Sequence, residues 1–202
     1  MPPTMLLAGD VRGLTPSSSD WPRVLNARLA EYAPTVVFIH GSPTVLACRR
    51  TAFFCSARTP GDAILRSYDS ARRWRDDEVT VVSGFHSPIE KECLRILLRG
   101  RQPVVVCLAR GLEGMRLPSE WRKPLEGERL LLVSSLAPTV RRVTKELAVT
   151  RNRLVAALAD EVVFAHVTPG GQLDALRQTV EGWGIPVRTL RGVGEAGAGP
   201  YG

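Results

Sequence analysis

The chain has 202 residues, of which 27 are Lys or Arg and 20 are Asp or Glu, giving a formal net charge of +7. A hydrophobic fraction of 44% and a charged fraction of 23% exclude an intrinsically disordered chain. No apolar run approaches the ~20 residues that span a bilayer. The first residues contain no basic segment, and their apolar stretch is too short for a signal peptide. We therefore expect a cytoplasmic protein without membrane contact, whose basic excess favours an anionic partner.

The first part of the chain is predicted to be a helical lead-in followed by one strand. Asp20 suits a helix N-cap and Pro22 suits a first helical turn, so residues 21–33 are predicted to form a short helix. An apolar run at residues 35–39 predicts a strand. We assign residues 1–50 to this unit, which should pack on the main domain.

From residue 51 to residue 191 the chain alternates between short apolar runs and segments of helical periodicity. The predicted strands are residues 51–55, 79–83, 103–107, 130–134 and 161–165, with a weaker edge strand at residues 186–190. The predicted helices are residues 61–75, 89–99, 140–159 and 172–183. This pattern predicts an α/β fold, a Rossmann-like, doubly wound and mostly parallel sheet with helices on both faces.

Two further segments are rich in glycine. Residues 111–127 hold three glycines and two prolines, which predicts a long excursion at the end of a strand. Residues 192–202 hold five glycines, which predicts a flexible tail.

The cysteines predict free thiols rather than a metal site. Cys48, Cys55, Cys93 and Cys107 form no C-x-x-C pair and no cluster with the spacing of zinc ligands. In a reducing compartment such residues are usually buried and unpaired. Neither a metal nor another cofactor is expected.

Three strand-to-helix loops are predicted to meet at one edge of the sheet, at residues 55–61, 83–90 and 166–172. Each holds small, hydroxyl, glycine or proline residues just before a helix, which suits the close approach of a phosphate. None matches a P-loop or a dinucleotide-binding G-x-G-x-x-G. One such loop alone is an ordinary helix cap, but three at one edge favour an anion site.

A few ionisable residues lie in these loops. His86 and His166 both follow a strand closely and could meet at the edge, whereas His40 is expected to be remote. His86 and His166 have no Asp or Cys nearby at the spacing of metal ligands, so they do not indicate a metal site. His86 could nevertheless contact a ligand. Glu90, in the first turn of a helix, is better explained by the helix dipole than by a role as a base.

A basic region accompanies the long helix predicted at residues 140–159. Residues 141–145 (RRVTK) together with Arg151 and Arg153 place five cations there. A solvated helix face explains such a run, and bidentate phosphate contact by arginine is the alternative. Both interpretations stay open at this point.

The order of several stretches resembles the DNA-processing protein A family (DprA, also called Smf), part of the LOG/DprA-like group of Rossmann domains. The chain looks like a divergent, minimal member. Five stretches carry the resemblance: residues 20–22 (DWP), 38–41 (FIHG), 56–60 (SARTP, for G-S/T-R-x-P), 81–90 (VVSGFHSPIE, for V-V-S-G-x-A-R-G-I-D) and 105–112 (VVCLARGL, for I-A-V-L-x-x-G-L).

The most specific match lies at residues 150–160 (TRNRLVAALAD), which resemble the family's R-N-R-I-I-A-G-L-S-D. Residues 168–173 (TPGGQL) are similar to its S-G-S-L loop. One departure concerns charge, because Ser87 and Pro88 stand where the family has an arginine and a glycine.

The resemblance implies a non-catalytic protein that binds single-stranded DNA without sequence preference. It also implies a homodimer that passes the strand to a RecA-type recombinase during DNA uptake, as in natural transformation, or recombination. Carried over by position, Arg58, Arg151 and Arg153 would contact phosphates. The rest of the implied pocket consists of Ser56, Ser83, Gly84, His86, Ser87, Asn152, Gly170 and Gly171.

Two other functions compete with this one. Residues 169–171 (PGG) resemble the start of the P-G-G-x-G-T-x-x-E motif of LOG-type nucleoside monophosphate phosphoribohydrolases, which would make the ligand a small nucleotide, hydrolysed or merely sensed. Leu173 and Asp174 stand where that motif has G-T, and Glu181 lies too far along, so its catalytic loop is incomplete. A scaffold that recruits a protein partner is also compatible with the sequence.

Overall fold

The short apolar runs form the strands of one sheet in the computed structural model, which describes residues 5–7, 10–56 and 59–190. Valine, isoleucine, leucine and phenylalanine dominate the central strands, which are buried on both faces, as parallel sheets require. Within the described residues the strands are β1 (Arg12–Leu14), β2 (Val37–His40), β3 (Arg50–Phe54), β4 (Thr80–Ser83), β5 (Val104–Cys107), β6 (Leu130–Ser134), β7 (Glu161–Phe164) and β8 (Val187–Thr189).

The strand order is β1-β2-β6-β5-β4-β3-β7-β8. The strands from β3 to β8 are parallel, whereas β2 runs antiparallel to β6 and β1 antiparallel to β2. The chain proceeds from β3 toward β6 on one side and continues with β7 and β8 on the other. A topological switch point therefore lies between β3 and β7, the place where open α/β sheets bind ligands.

Helices cover both faces of this sheet, as predicted. The described helices are α1 (Val24–Leu29), α2 (Gly61–Asp76), α3 (Pro88–Leu97), α4 (Ser119–Glu126), α5 (Lys145–Leu158) and α6 (Gln172–Gly182), with short 3₁₀ helices at Ala30–Tyr32 and Pro43–Ala47. One hydrophobic core joins the sheet to α1, α5 and α6. A second core joins the opposite face to α2, α3 and α4. The predicted fold class is confirmed.

Local interactions explain where the elements differ from the prediction. Every predicted strand is present to within two residues, but β1 is too short to give a periodic signal. The segment predicted as an excursion at residues 111–127 contains the helix α4. Of its two prolines, Pro118 stands just before the helix and Pro124 lies within it. The long helix begins only at Lys145, because Thr144 caps it by accepting a hydrogen bond from the N–H of Leu147 at 3.3 Å. The predicted tail at residues 192–202 lies outside the described residues.

Two arginines fix the C-terminal end of α5. The guanidinium groups of Arg28 and Arg50 donate hydrogen bonds of 2.5–2.8 Å to its last carbonyls, those of Ala157, Leu158 and Ala159. These carbonyls have no partner within the helix, and cations are favoured at this end of its dipole. Burial lowers the pKa of both arginines, and Asp160 opposes that shift. The helix is thus held rigidly against the sheet.

The cysteines are free thiols, as predicted, and three of the four are buried. Burial raises the pKa of Cys107 to about 12 and also raises the pKa of Cys93, so these thiols are not poised to react. Among the described residues, no group of three or more His, Cys, Asp or Glu side chains could hold a metal ion. No helix in that part of the chain is long and apolar enough to cross a membrane.

Candidate functional site

A cleft of about 380 Å³ opens at the switch point, where the carboxyl ends of β3, β4 and β7 meet. The loops that follow these strands form its walls. Helix α5, which packs on one face of the sheet, contributes the remaining lining residues. Its lining residues are Cys55, Ser56, His86, Ser87, Glu90, Ala148, Arg151, Asn152, Thr168, Gly171, Gln172 and Leu173. Six of the predicted site residues are among them. We call this the switch-point cleft.

Glu90 ties two of the loops together. Its Oε1 accepts a hydrogen bond from the N–H of Cys55 at 3.1 Å, in the loop after β3. Its Oε2 accepts from the N–H groups of His86 and Ser87, at 2.8 and 3.0 Å, in the loop after β4. The buried carboxylate therefore does more than complement the dipole of α3, which was the role predicted from the sequence.

The same glutamate forms a capping box with Ser87 at the start of α3. The Ser87 hydroxyl accepts a hydrogen bond from the N–H of Glu90 at 3.2 Å, and Pro88 occupies the first helical position. The departure from the family pattern at residues 86–88 thus has a structural role, because it builds a fully capped helix start. The S-x-x-E spacing was the sequence signal for this arrangement.

A second pair of hydrogen bonds joins the loop after β3 to the loop after β7. The N–H of Ser56 donates to the carbonyl of His166, and the N–H of Thr168 donates to the Ser56 hydroxyl, both at 3.3 Å. Gly170 adopts a φ of +70°, which favours glycine, and its N–H donates to Asp174 at 3.0 Å. All three loops are therefore connected into one framework around the cleft.

Arg151 carries the unusual electrostatics of the site. Arg151 is buried, with only 7% of its surface exposed, yet it forms no ion pair with any described residue. Its Nε donates to Oδ1 of Asn152 at 2.8 Å, whereas Nη1 and Nη2 make no hydrogen bond within the described part of the chain. Burial lowers the pKa of Arg151, and the nearby charge of Glu90 opposes that shift. A buried guanidinium with free donors is a strong site for an external anion.

Gly84 makes room for this guanidinium. A β-carbon at Gly84 would overlap Nη1 and Cζ of Arg151, so the side chain lies directly against the glycine backbone. The adjacent residue, Phe85, has a left-handed φ of 44° and is buried in the core. Its N–H donates to the hydroxyl of Ser83 at 3.2 Å. Ser83 and Phe85 thus shape the turn beneath the guanidinium of Arg151. Because the Phe85 ring is buried in the core, it presents little surface on which a base could stack.

A second cleft of about 310 Å³ adjoins the first, and Arg151 and His86 border both. Its floor is apolar, with Leu94, Leu98 and Trp121 among its lining residues. Its remaining cations are Lys91, Arg95 and Arg110. Sequence reasoning missed this cleft because α4, which supplies Trp121, lies in the segment predicted as a loop. We call it the apolar cleft.

Several predicted site residues lie elsewhere. Arg153 is exposed on another side of α5 and does not line the switch-point cleft. Gly170 lies outside the cleft lining, and no hydrogen bond joins the side chains of His86 and His166. His40 bonds to the carbonyl of Asp10 and stays remote, as expected. Arg58 falls outside the described residues.

The fold and the cleft define a Rossmann-like domain with a cleft at its switch point that contains a buried arginine. The sequence model of the family described as DNA recombination-mediator protein A matches residues 12–181, and the chain belongs to this family. The resemblance inferred from the sequence is therefore confirmed. No curated protein matches the chain in sequence.

Two solved structures confirm the fold. DNA processing protein A from Streptococcus pneumoniae is 18% identical with a TM-score of 0.75, and the match covers 92% of this chain and 64% of that one. DNA processing protein A from Helicobacter pylori, studied for its single-stranded DNA binding mode, is 16% identical with a TM-score of 0.70. That match covers 92% of this chain and 82% of the other.

Proposed function

We propose that this protein binds single-stranded DNA without catalysis and acts in DNA recombination, with a backbone phosphate held by Arg151 in the switch-point cleft. One observation carries the proposal: the buried guanidinium of Arg151 forms no ion pair with the described residues and presents unbonded donors to a cleft whose one described carboxylate, Glu90, already accepts three backbone hydrogen bonds. Such a cation is costly to bury alone, and a phosphate would complete its hydrogen bonds. Membership of the DNA recombination-mediator family supports nucleic acid as the source of that phosphate.

The start of α6 supports the same position for the phosphate. Gly171, Gln172 and Leu173 lie at the start of this helix and line the same cleft as Arg151. No side chain caps the helix at Gly171, so the N–H groups of its first turn lie at the cleft, and the nearby carboxylate of Asp174 accepts from the N–H of Gly170 instead. The start of α3 contributes less, because Ser87 and Glu90 already satisfy it.

The apolar cleft suits the bases on one side of that phosphate. Trp121, Leu94 and Leu98 offer an apolar surface, which accepts any base because each has an apolar face. Lys91 and Arg95 stand at the same cleft and would attract neighbouring phosphates. This combination favours binding without sequence preference.

The family resemblance extends the proposal to the cellular setting. We infer a cytoplasmic homodimer that passes the bound strand to a RecA-type recombinase during DNA uptake or recombination. Light scattering on the purified protein measures the dimer, and a strand-exchange assay with a RecA-type protein measures the transfer.

A competition experiment tests the ligand. The protein is titrated into fluorescently labelled single-stranded DNA at two salt concentrations, and unlabelled single strands, duplex DNA and AMP compete. We expect strong competition by single strands, weak competition by duplex, none by AMP, and an affinity that falls with salt. Absence of DNA binding together with a higher melting temperature in AMP would instead assign the cleft to a small nucleotide.

Replacing Gly84 with alanine should weaken DNA binding without altering any charge. The new methyl group would push the Arg151 guanidinium out of its position, which should lower affinity by about tenfold, the lower end of the effect of losing one charged hydrogen bond. Gly182→Ala is the matched control, because a β-carbon there meets nothing within 4 Å. Anisotropy titrations compare the two variants, and equal affinities would contradict the placement of the phosphate at Arg151.

A further inference from the structure

The three residues Arg151, Asn152 and Arg153 occupy consecutive positions on α5. Successive helical residues are rotated by about 100°, so their side chains leave the helix on three different sides. Arg151 and Asn152 line the switch-point cleft, and Asn152 and Arg153 line a small cleft of about 60 Å³ between α5 and α6. Arg153 also lines a further cleft on the side of α1. The switch-point cleft and the small cleft share Asn152 and Gln172, the small cleft and the third cleft share Arg153, and the three clefts together pass around the helix.

The last of these clefts has the chemistry of a nucleobase site. It measures about 260 Å³, and Leu29, Pro34 and Leu154 form its apolar part. The Arg153 guanidinium lies over the ring of Tyr32, with 5.5 Å between its central carbon and the ring centroid. The hydroxyl residues Ser135 and Thr150 complete the lining, which contains no carboxylate.

Tyr32 is exposed although it is a large aromatic residue. Its exposed fraction is 69%, among the largest of the described hydrophobic side chains. Fastening the lead-in to α5 does not require the ring to be exposed. Here the ring and the guanidinium instead stand beside an open cleft, and Arg153 forms no ion pair with the described residues.

We propose that Tyr32 and Arg153 form a second subsite, which holds a base of the same single strand whose phosphate lies at Arg151. The inference rests on the proposed function. The strand passes from the switch-point cleft over Asn152 and through the small cleft beside α6, and one base then stacks on the tyrosine ring or the guanidinium plane. The arginine holds the ring in place before the strand arrives, which reduces the entropy lost on binding.

The test exploits the length of the strand. Wild-type, Tyr32→Ala, Tyr32→Phe and Arg151→Met proteins are titrated with labelled oligothymidylates of about 4 and about 12 nucleotides, which bracket the usual site sizes. Tyr32→Ala should weaken binding of the long strand by about fivefold or more, the effect of one lost stacking contact, and leave the short strand unchanged. Tyr32→Phe keeps the ring and should bind both lengths like the wild type.

Each outcome bears on one proposal only. Equal long-strand affinities of Tyr32→Ala and the wild type, in a protein that binds DNA, would overturn the second subsite and leave the function intact. Absence of any DNA binding by the wild type would overturn the function itself. As a direct check, a long strand carrying photoreactive 4-thiothymidine should crosslink at Tyr32 in the wild type, and crosslinking confined to the other clefts would contradict the path around α5.

Discussion

Replacing Arg151 with methionine should lower the affinity for single-stranded DNA by about tenfold or more while changing the stability of the fold little. A charged hydrogen bond contributes about 1.5–3 kcal/mol, and about 1.4 kcal/mol corresponds to a factor of ten. The guanidinium is buried without an ion pair, so its removal relieves a desolvation cost, which offsets the loss of the Asn152 hydrogen bond and of the favourable charge of Glu90. Most substitutions of buried residues reduce stability, and a loss of binding without that reduction would mark a residue kept for its ligand.

The salt dependence of binding gives a second measure of the same contact. Each phosphate contact with a single strand contributes about 0.7 to the slope of log affinity against log salt, so Arg151→Met should reduce that slope by about 0.7. Arg99→Met is the matched control, because Arg99 is exposed just beyond the C-terminal end of α3 and its loss changes the net charge equally. Equal slopes for the two variants would show that only overall charge attracts DNA.

Replacing Glu90 with alanine should lower the free energy of unfolding by about 3 kcal/mol. Three backbone N–H groups, those of Cys55, His86 and Ser87, would lose their acceptor. Leaving a buried donor unpaired costs about 1–3 kcal/mol, and water can reach part of the exposed loop at His86. DNA binding should weaken as well, because the two loops that frame the switch-point cleft would no longer be connected.

Denaturant unfolding measures this loss, with Glu92→Ala as control on the same helix. Glu92 forms a surface ion pair with Arg95 at 2.9 Å, and such pairs contribute less than about 1 kcal/mol. Glu90→Gln should fall between the two variants, because its amide oxygen still accepts while its NH₂ group faces a donor. If Glu90→Ala and Glu92→Ala unfold at the same denaturant concentration, the carboxylate does not hold the loops together.

Local sequence pattern and the order of motifs predicted some of the residues that line the switch-point cleft. Residues after a buried strand and before a helix reach the ligand edge of a parallel sheet, and Ser56, His86 and Gly171, which were predicted from that rule, line the cleft. The R-N-R stretch indicated basic contacts. It did not indicate that Arg151 turns inward while Arg153 turns toward Tyr32, because adjacent residues of a helix face different directions.

The sequence by itself determined the class of fold, every strand except β1 to within two residues, and the family, because apolar periodicity and motif order are properties of neighbouring residues. Only the tertiary structure decided the antiparallel direction of β2, the helix within residues 111–127 and the junction of two clefts at Arg151. Strand direction depends on the partner strand, and a cleft depends on the distance between elements far apart in the chain. The contact of Arg151 with Gly84 is an example, because the two residues are 67 positions apart in the chain (151 − 84).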